Sequence, residues 1–187
     1  MSIDQILDTL FPLPHTSKRI LKNNITEVFH TKGHILLRAD KVEERIYFIK
    51  KGILRAYSNT MDNEITFWFG KEGDTVISMK SYVSHQKGYE DIELLEDCEL
   101  YTLKTLDLQT LFHQDIHIAN WGRKFAEREL VKTEERLISR QFRTAAQRYK
   151  ELLIDNPGLI QRVQLGHIAS YLGITQVSLS RIRAEIK

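Results

Sequence analysis

Cysteine is almost absent from this chain, with Cys98 the one thiol in 187 residues. No intrachain disulfide can form, so a disulfide scaffold is excluded, and an iron–sulfur centre cannot be ligated by cysteines of one chain. A reducing cytosol suits this usage. The N-terminus carries Asp4 and Asp8 and lacks the apolar run of a signal peptide. No stretch approaches the roughly 20 apolar residues of a membrane span, so a cytoplasmic location and no membrane partner are expected. Catalytic signatures are missing too. Ser81, Ser84 and His85 lie close together without a Gly-x-Ser-x-Gly elbow, and there is no P-loop or dinucleotide fingerprint. His30 and His34, and His113 and His117, have i, i+4 spacing but no third ligand in pattern, so no metal and no cofactor are expected. The chain is read as a non-enzyme.

What is present is the balance of an ordinary globular protein, 42% hydrophobic and 28% charged. The net charge of +2 hides an asymmetry. Residues 1–117 hold 14 Lys and Arg against 18 Asp and Glu, whereas residues 118–187 hold 13 against 7. A basic C-terminal third on an acidic body points to a polyanion partner for that third.

The hydrophobic pattern changes along the chain. Residues 2–11 place Ile3, Ile6, Leu7 and Leu10 at helical spacing, and Pro12 and Pro14 end that helix. A second short helix is expected over 16–24. From 25 to 104 the runs ITEVFH, HILLRA, RIYFIK, ILRAYS, EITFWF, DIELLE and CELYTL read as strands broken by turn residues. Lys51-Gly52 suggests a hairpin, and EITFWF suggests Ile65, Phe67 and Phe69 on one face with Thr66 and Trp68 on the other. Seven short strands at this spacing indicate a small barrel or roll. After Leu108 the period is helical. A long helix over 116–138 carries Ile118, Trp121, Phe125, Leu130, Val131, Leu137 and Ile138. A further helix over 140–155 aligns Phe142, Ala145, Ala146, Tyr149, Leu152 and Leu153, stopped at Asn156-Pro157-Gly158.

The strongest local signal is QLGHIASYLGITQVSLSRIRAEIK, residues 164–187. A helix near 165–172 buries Ile168, Ala169 and Leu172. Gly173 permits a tight turn, and Thr175 is a good N-cap for a second helix that turns Leu179 and Ile182 inward. Small Ala169 lets the two helices approach. This is a helix-turn-helix pattern. Thr175, Gln176, Ser178, Ser180, Arg181, Arg183 and Lys187 are its candidate DNA-binding residues. Arg can take guanine bidentately, Gln can take adenine, and Ser hydroxyls can take phosphates or base edges.

The stretches ERIYFIKKGILRAYS, FWFGKEGD, IELLEDCELYTL and, most specifically, HIASYLGITQVSLSRIR resemble the Crp/Fnr family of bacterial transcription regulators. The resemblance covers nearly the whole chain. It implies an α+β fold: an antiparallel, jelly-roll-like β-roll of the cyclic-nucleotide-binding type with flanking helices (1–115), a dimerisation helix (116–139) and a helix-turn-helix domain (140–187). Double-stranded DNA and a second copy of the chain are the implied partners, with RNA polymerase a further candidate. Trp121, Phe125, Leu130, Val131 and Leu137 are the expected dimer interface.

The sequence departs from that family in three places. Members that bind cyclic AMP carry Gly-Glu after the Gly-Asp turn and then an Arg-Ser pair. Here Ile77 and Ser78 hold the first positions, and Gly88-Tyr89-Glu90 holds the second. The expected effector pocket, lined by Ile77, Ser78, Tyr89 and Glu90, lacks the Arg that would pair with a phosphate, and Glu90 would repel one. A response to cyclic AMP is not expected, and the effector is left open. In the recognition helix Arg181 matches a base-reading Arg of the family, while Val177 stands where a Glu is usual. The residues end at Lys187, where the family continues into a β-hairpin wing, so either a domain lacking most of the wing or a truncated one is expected. A second reading of the same residues is a β-roll sensor or scaffold acting through protein contacts without DNA. A third, a cupin-type metal enzyme, would need a His-x-His pair that the chain lacks. Salt-dependent binding to duplex DNA separates the first reading from the second.

Overall fold

The computed structural model describes residues 1–61 and 63–186. Two short helices come first. In α1 (Ile3–Leu10) Ser2 and Gln5 form a reciprocal capping box, and Ile6, Leu7 and Leu10 are buried. In α2 (His15–Lys22) the chain turns helical directly after Pro14 and buries Leu21. Eight strands follow: β1 (Thr26–His30), β2 (Ile35–Leu37), β3 (Arg45–Lys51), β4 (Leu54–Asn59), β5 (Glu64–Gly70), β6 (Thr75–Val76), β7 (Asp91–Leu94) and β8 (Cys98–Lys104). They form two four-stranded antiparallel sheets, ordered β1-β8-β3-β6 and β2-β7-β4-β5, which are not closed into a barrel. A short helix, α3 (Met79–Ser84), lies between β6 and β7.

One core fills the space between the sheets, with Leu37, Ile49, Leu54, Leu94 and Leu100 fully buried. A second lies on the other side of the first sheet. There Ile46 and Phe48 of β3 and Leu103 of β8 meet Leu7, Leu21 and Trp121. Strand β3 is therefore buried on both faces, which explains why RIYFIK reads as a continuous apolar run. The helices that supply this cover are α1, α2, α4 (Thr105–Gln114) and the start of α5 (Ile116–Phe142). The chain ends in α6 (Ala145–Asp155), α7 (Pro157–Arg162), α8 (Leu165–Leu172) and α9 (Gln176–Glu185), which share a third core around Tyr149, Ile168, Leu172 and Leu179.

Several expectations from the sequence are corrected. Lys51-Gly52 is not a hairpin: β3 pairs with β6 and β8, while β4 pairs with β5 and β7. Gly52, at φ +123°, carries the chain from one sheet to the other, and a Cβ there would stand 2.3 Å from the Cys98 Sγ. Alternation fails in EITFWF because Ala56 pairs with Trp68 and Tyr57 with Thr66, leaving Phe67 as an extra residue. The bulge lets Phe67 and Trp68 both pack on the inter-sheet core, while Thr66 is buried. Phe142 does not share the α6 face. It is the last residue of α5, which runs past the expected end, and it is exposed. Pro157 stops α6 and also opens α7, a helix the sequence reading did not contain, because proline is well suited to a first helical turn. The turn residue Asp62 lies outside the described residues.

Candidate nucleic-acid interface and effector pocket

The paired helices α8 and α9 are built from the residues that suggested them. Gly173 ends α8 at φ +67°, the left-handed conformation that an L side chain resists, and its N–H donates to the Ala169 and Ser170 carbonyls. Thr175 then caps α9, its side chain accepting from the Ser178 N–H at 3.1 Å. Ile168, Ala169, Leu172 and Leu179 are buried together. These restraints leave Gln176, Val177, Ser180, Arg181 and Arg183 exposed on α9. The hydroxyls are partly committed. Thr175 and Ser178 lie 3.0 Å apart within the cap, and Ser180 donates to the Gln176 carbonyl at 3.0 Å. The free side-chain donors of this face are thus Gln176, Arg181 and Arg183. Lys187 lies outside the described residues.

This helical unit is docked on the roll by contacts that the sequence reading missed. Strand β5 is the edge of its sheet, so its outward backbone groups are unpaired by neighbours. Ser170 on α8 supplies the partner: its Oγ accepts from the Thr66 N–H and donates to the Glu64 carbonyl, both at 2.9 Å. Beside it the Tyr171 ring tilts against Phe69, centroids 5.2 Å apart. Ile53, Phe69 and Leu95 of the roll belong to the third core. Arg162 on α7 grips Glu72 at 2.8 Å and also pairs with Glu96. No local pattern announces these roles, because each depends on a strand or turn of the roll 66 to 106 residues away.

The effector pocket differs from its expected form. Ser78 precedes α3 and is buried, with its Oγ unpartnered. Glu90 is 6% exposed, and its carboxylate accepts from the Tyr89 N–H at 3.0 Å. A Cβ at Gly88 would lie 2.6 Å from Ser78 Oγ and 3.1 Å from Glu90 Oε1, so these three residues fill the position together. Ile77 packs on the core. Tyr89 is 62% exposed, with its ring 6.1 Å from Phe67. Ser78 and Glu90 crowd the space beside Gly88.

The expected dimer interface also needs correction. Trp121 is 2% exposed, donates from Nε1 to the Leu7 carbonyl at 3.1 Å, and packs with Phe48. Phe125 stacks beside it. Trp121 is thus held within its own chain and Phe125 is partly buried beside it, because α5 begins as a lid on the roll. Leu130, Val131 and Leu137 are exposed. The His30 and His34 rings stack at 4.2 Å, and burial followed by the neighbouring His34 lowers the His30 pKa. No group of three potential metal-binding side chains occurs among the described residues. Cys98 is fully buried, which pushes its thiol up to about 12. No helix among the described residues is long and apolar enough to cross a membrane.

An antiparallel β-roll that carries a long helix, followed by a docked helix-turn-helix, defines a class of two-part proteins with a β-roll body and a helical C-terminal unit. Residues 27–115 match the cyclic nucleotide-binding domain family. The chain as a whole has the fold of Crp/Fnr-type proteins. It is similar to FixK2 from Bradyrhizobium japonicum, at 20% identity over 87% of this chain and 84% of that one, with a TM-score of 0.75. It is similar to a putative transcriptional regulator of the Crp/Fnr family from Eubacterium rectale, at 16% identity over 93% and 85%, TM-score 0.70. It is also similar to the catabolite activator protein of Thermus thermophilus, at 16% identity over 97% and 86%, TM-score 0.60. No curated protein sequence matches the chain.

Proposed function

We propose that this protein is a DNA-binding transcription regulator that works as a homodimer in the cytoplasm and does not respond to cyclic AMP. The observation that carries the reading is the α8–Gly173–α9 unit, whose second helix presents Gln176, Arg181 and Arg183 to solvent above a core of Ile168, Ala169, Leu172 and Leu179. An exposed basic helix held at a fixed angle is what the major groove accepts. The unit follows a division into a sensor roll over 1–115, a coupling helix from 116 and a reader domain from about 140. Dimerisation falls to Leu130, Val131 and Leu137, which α5 leaves uncovered. A helix of 27 residues is about 40 Å long, so a small tilt at its buried start moves its far end and the reader with it. An effector or partner that favours one tilt would reset the spacing of two recognition helices. The buried Glu90 carboxyl group beside unpartnered Ser78 supports the lack of a cyclic nucleotide response, since its bulk and acceptor oxygens occupy the positions that the family resemblance gives to the phosphate contacts.

Selection of duplex sites from random DNA tests this. The wild type should enrich a defined motif, and its affinity should fall steeply with salt. Arg181→Ala should cost roughly 1–3 kcal/mol on that motif and relax preference at one base pair. Arg183→Ala should weaken all sequences about equally. Binding that shows neither sequence preference nor salt dependence would favour a scaffold acting through protein contacts. Calorimetry with cyclic AMP should give no micromolar binding.

A further inference from the structure

A cleft of about 920 Å³ opens where β5, α5, α6 and α8 meet. Its size suits one small ligand. Phe67, Trp68 and Phe69 of β5 and Tyr171 of α8 give it aromatic walls. Six cationic side chains line it, Lys71, Lys132, Arg136, Arg140, Arg143 and Arg148, against the four acids Asp74, Glu135, Glu151 and Asp155. Most of the cations are already engaged. Arg143 pairs with Glu151, which also accepts from Ser139. Lys132 pairs with Glu129 at 2.7 Å and reaches toward Asp74. Lys71 donates to Asn156, and Arg148 donates to the Arg143 and Leu172 carbonyls.

Arg136 and Arg140 differ from these. Among the described residues Arg140 has no hydrogen-bonding or ion-pair partner, and half-buried Arg136 reaches only the Thr133 hydroxyl. They stand four residues apart on one face of α5, a spacing that lets two guanidinium groups share one anion. The fields of both arginines fall on the Tyr171 hydroxyl, whose pKa is raised because it is buried. Glu135 and Asp155, the remaining acids, are exposed.

We propose that this cleft is a binding site for an organic anion that carries a flat apolar ring, with the anionic group held by Arg136 and Arg140 and the ring laid between Trp68, Phe69 and Tyr171. A ligand there touches the roll, the coupling helix and the reader at once. It would therefore bind the docked arrangement more tightly than any arrangement that separates those walls, and so bias the two. The site is separate from the filled position at Ser78 and Glu90, and ligand binding to it does not depend on the DNA reading.

The test is a fluorescence titration of the full chain with 8-anilinonaphthalene-1-sulfonate, a flat-ringed anion, run beside its neutral analogue N-phenyl-1-naphthylamine. Wild type should bind the sulfonate, and the double variant Arg136→Gln/Arg140→Gln should bind it at least tenfold more weakly. The neutral probe should be unaffected by the same change. Circular dichroism melts confirm that the variant is folded. Adenosine monophosphate and 2-naphthoate, added as competitors, distinguish a phosphate-bearing from a carboxylate-bearing ligand, and displacement by either supports the site. No binding by wild type, sulfonate affinity unchanged in the double variant, equal weakening of both probes, or displacement by neither competitor would each overturn the proposal.

Discussion

Within α5, Ile118, Trp121 and Phe125 pack beneath α1, α2 and β3, whereas Leu130, Val131, Leu137, Ile138 and Phe142 on the later turns face outward. Both halves have apolar residues at helical spacing, and both are laced with charge. The first half finds its partner in the same chain because β3 and β8 bring Phe48 and Leu103 under it. Beyond Phe125 the direct contacts of α5 with the body are polar, from Arg128 to the Thr9 carbonyl and from Lys132 toward Asp74, and its apolar side chains are left uncovered. Leu130 is then 70% exposed and Phe142 78%. Exposed apolar stripes of this kind mark places where another surface is meant to sit. The comparison teaches that periodicity identifies which face of a helix is apolar, while the neighbouring strands decide what covers it.

The largest effect that would separate the halves comes from truncating the buried one. Trp121→Ala removes a fully packed indole and its hydrogen bond to Leu7, and should cost about 3–5 kcal/mol by denaturant titration. If Trp121 instead served a subunit contact, the loss would depend on protein concentration. Next comes Leu130→Asp/Leu137→Asp on the exposed face of the later half. Because these side chains touch little in their own chain, the fold should change by about 0.5 kcal/mol or less. Self-association should weaken roughly hundredfold, as expected for about 3 kcal/mol of lost apolar contact. Light scattering should then give the mass of one chain in place of two. A wild type that is already monomeric at micromolar concentration would break the comparison. Ser170→Ala is smaller again. It strips the edge of β5 of its partner at Thr66 and Glu64, and should lower the stability of the docked helical unit by about 1 kcal/mol. Hydrogen exchange at the Thr66 amide should rise while the inter-sheet amides stay protected.

The helix-turn-helix was legible because its determinants are local. Ala169, Gly173, Thr175 and Leu179 lie within a dozen residues, and each meets a steric or capping demand that its residue type announces. Seven of the eight strands were legible from alternation and β-branched content. The two-residue β6 has too little sequence to show a period. Strand pairing was not legible. Lys51-Gly52 has the composition of a hairpin turn, yet the Cβ-free space beside Cys98 is what requires glycine there. Trp121 was misplaced for the reason the two halves of α5 illustrate. Ser170, Arg136 and Arg140 look like ordinary surface residues until β5 is laid against them. The burial of Glu90 and the exposure of Tyr89 needed the fold.

The smallest expected effect concerns what holds the C-terminal helices to the roll once α5 is left out of account. Arg162 links α7 to Glu72, which also accepts from the Gly52 N–H at 2.9 Å. Burial raises the Glu72 pKa, but the Arg162 and Gly52 hydrogen bonds outweigh it and bring it down to about 2. A carboxylate held lower in the folded state than its ordinary value of 4.5 binds fewer protons folded than unfolded between those two values. Its stabilisation is therefore whole above about pH 4.5 and lost as the pH falls toward 2. Both side chains are about one-third exposed, so solvent screening holds the contribution to about 1 kcal/mol or less. Arg162→Met should accordingly melt slightly below wild type at pH 7, and the gap should narrow steadily as thermal scans are moved from pH 5 to pH 2.5. A gap that is independent of pH would assign the loss to the packing of the Arg162 stem against the roll, and the ion pair would then carry none of the docking.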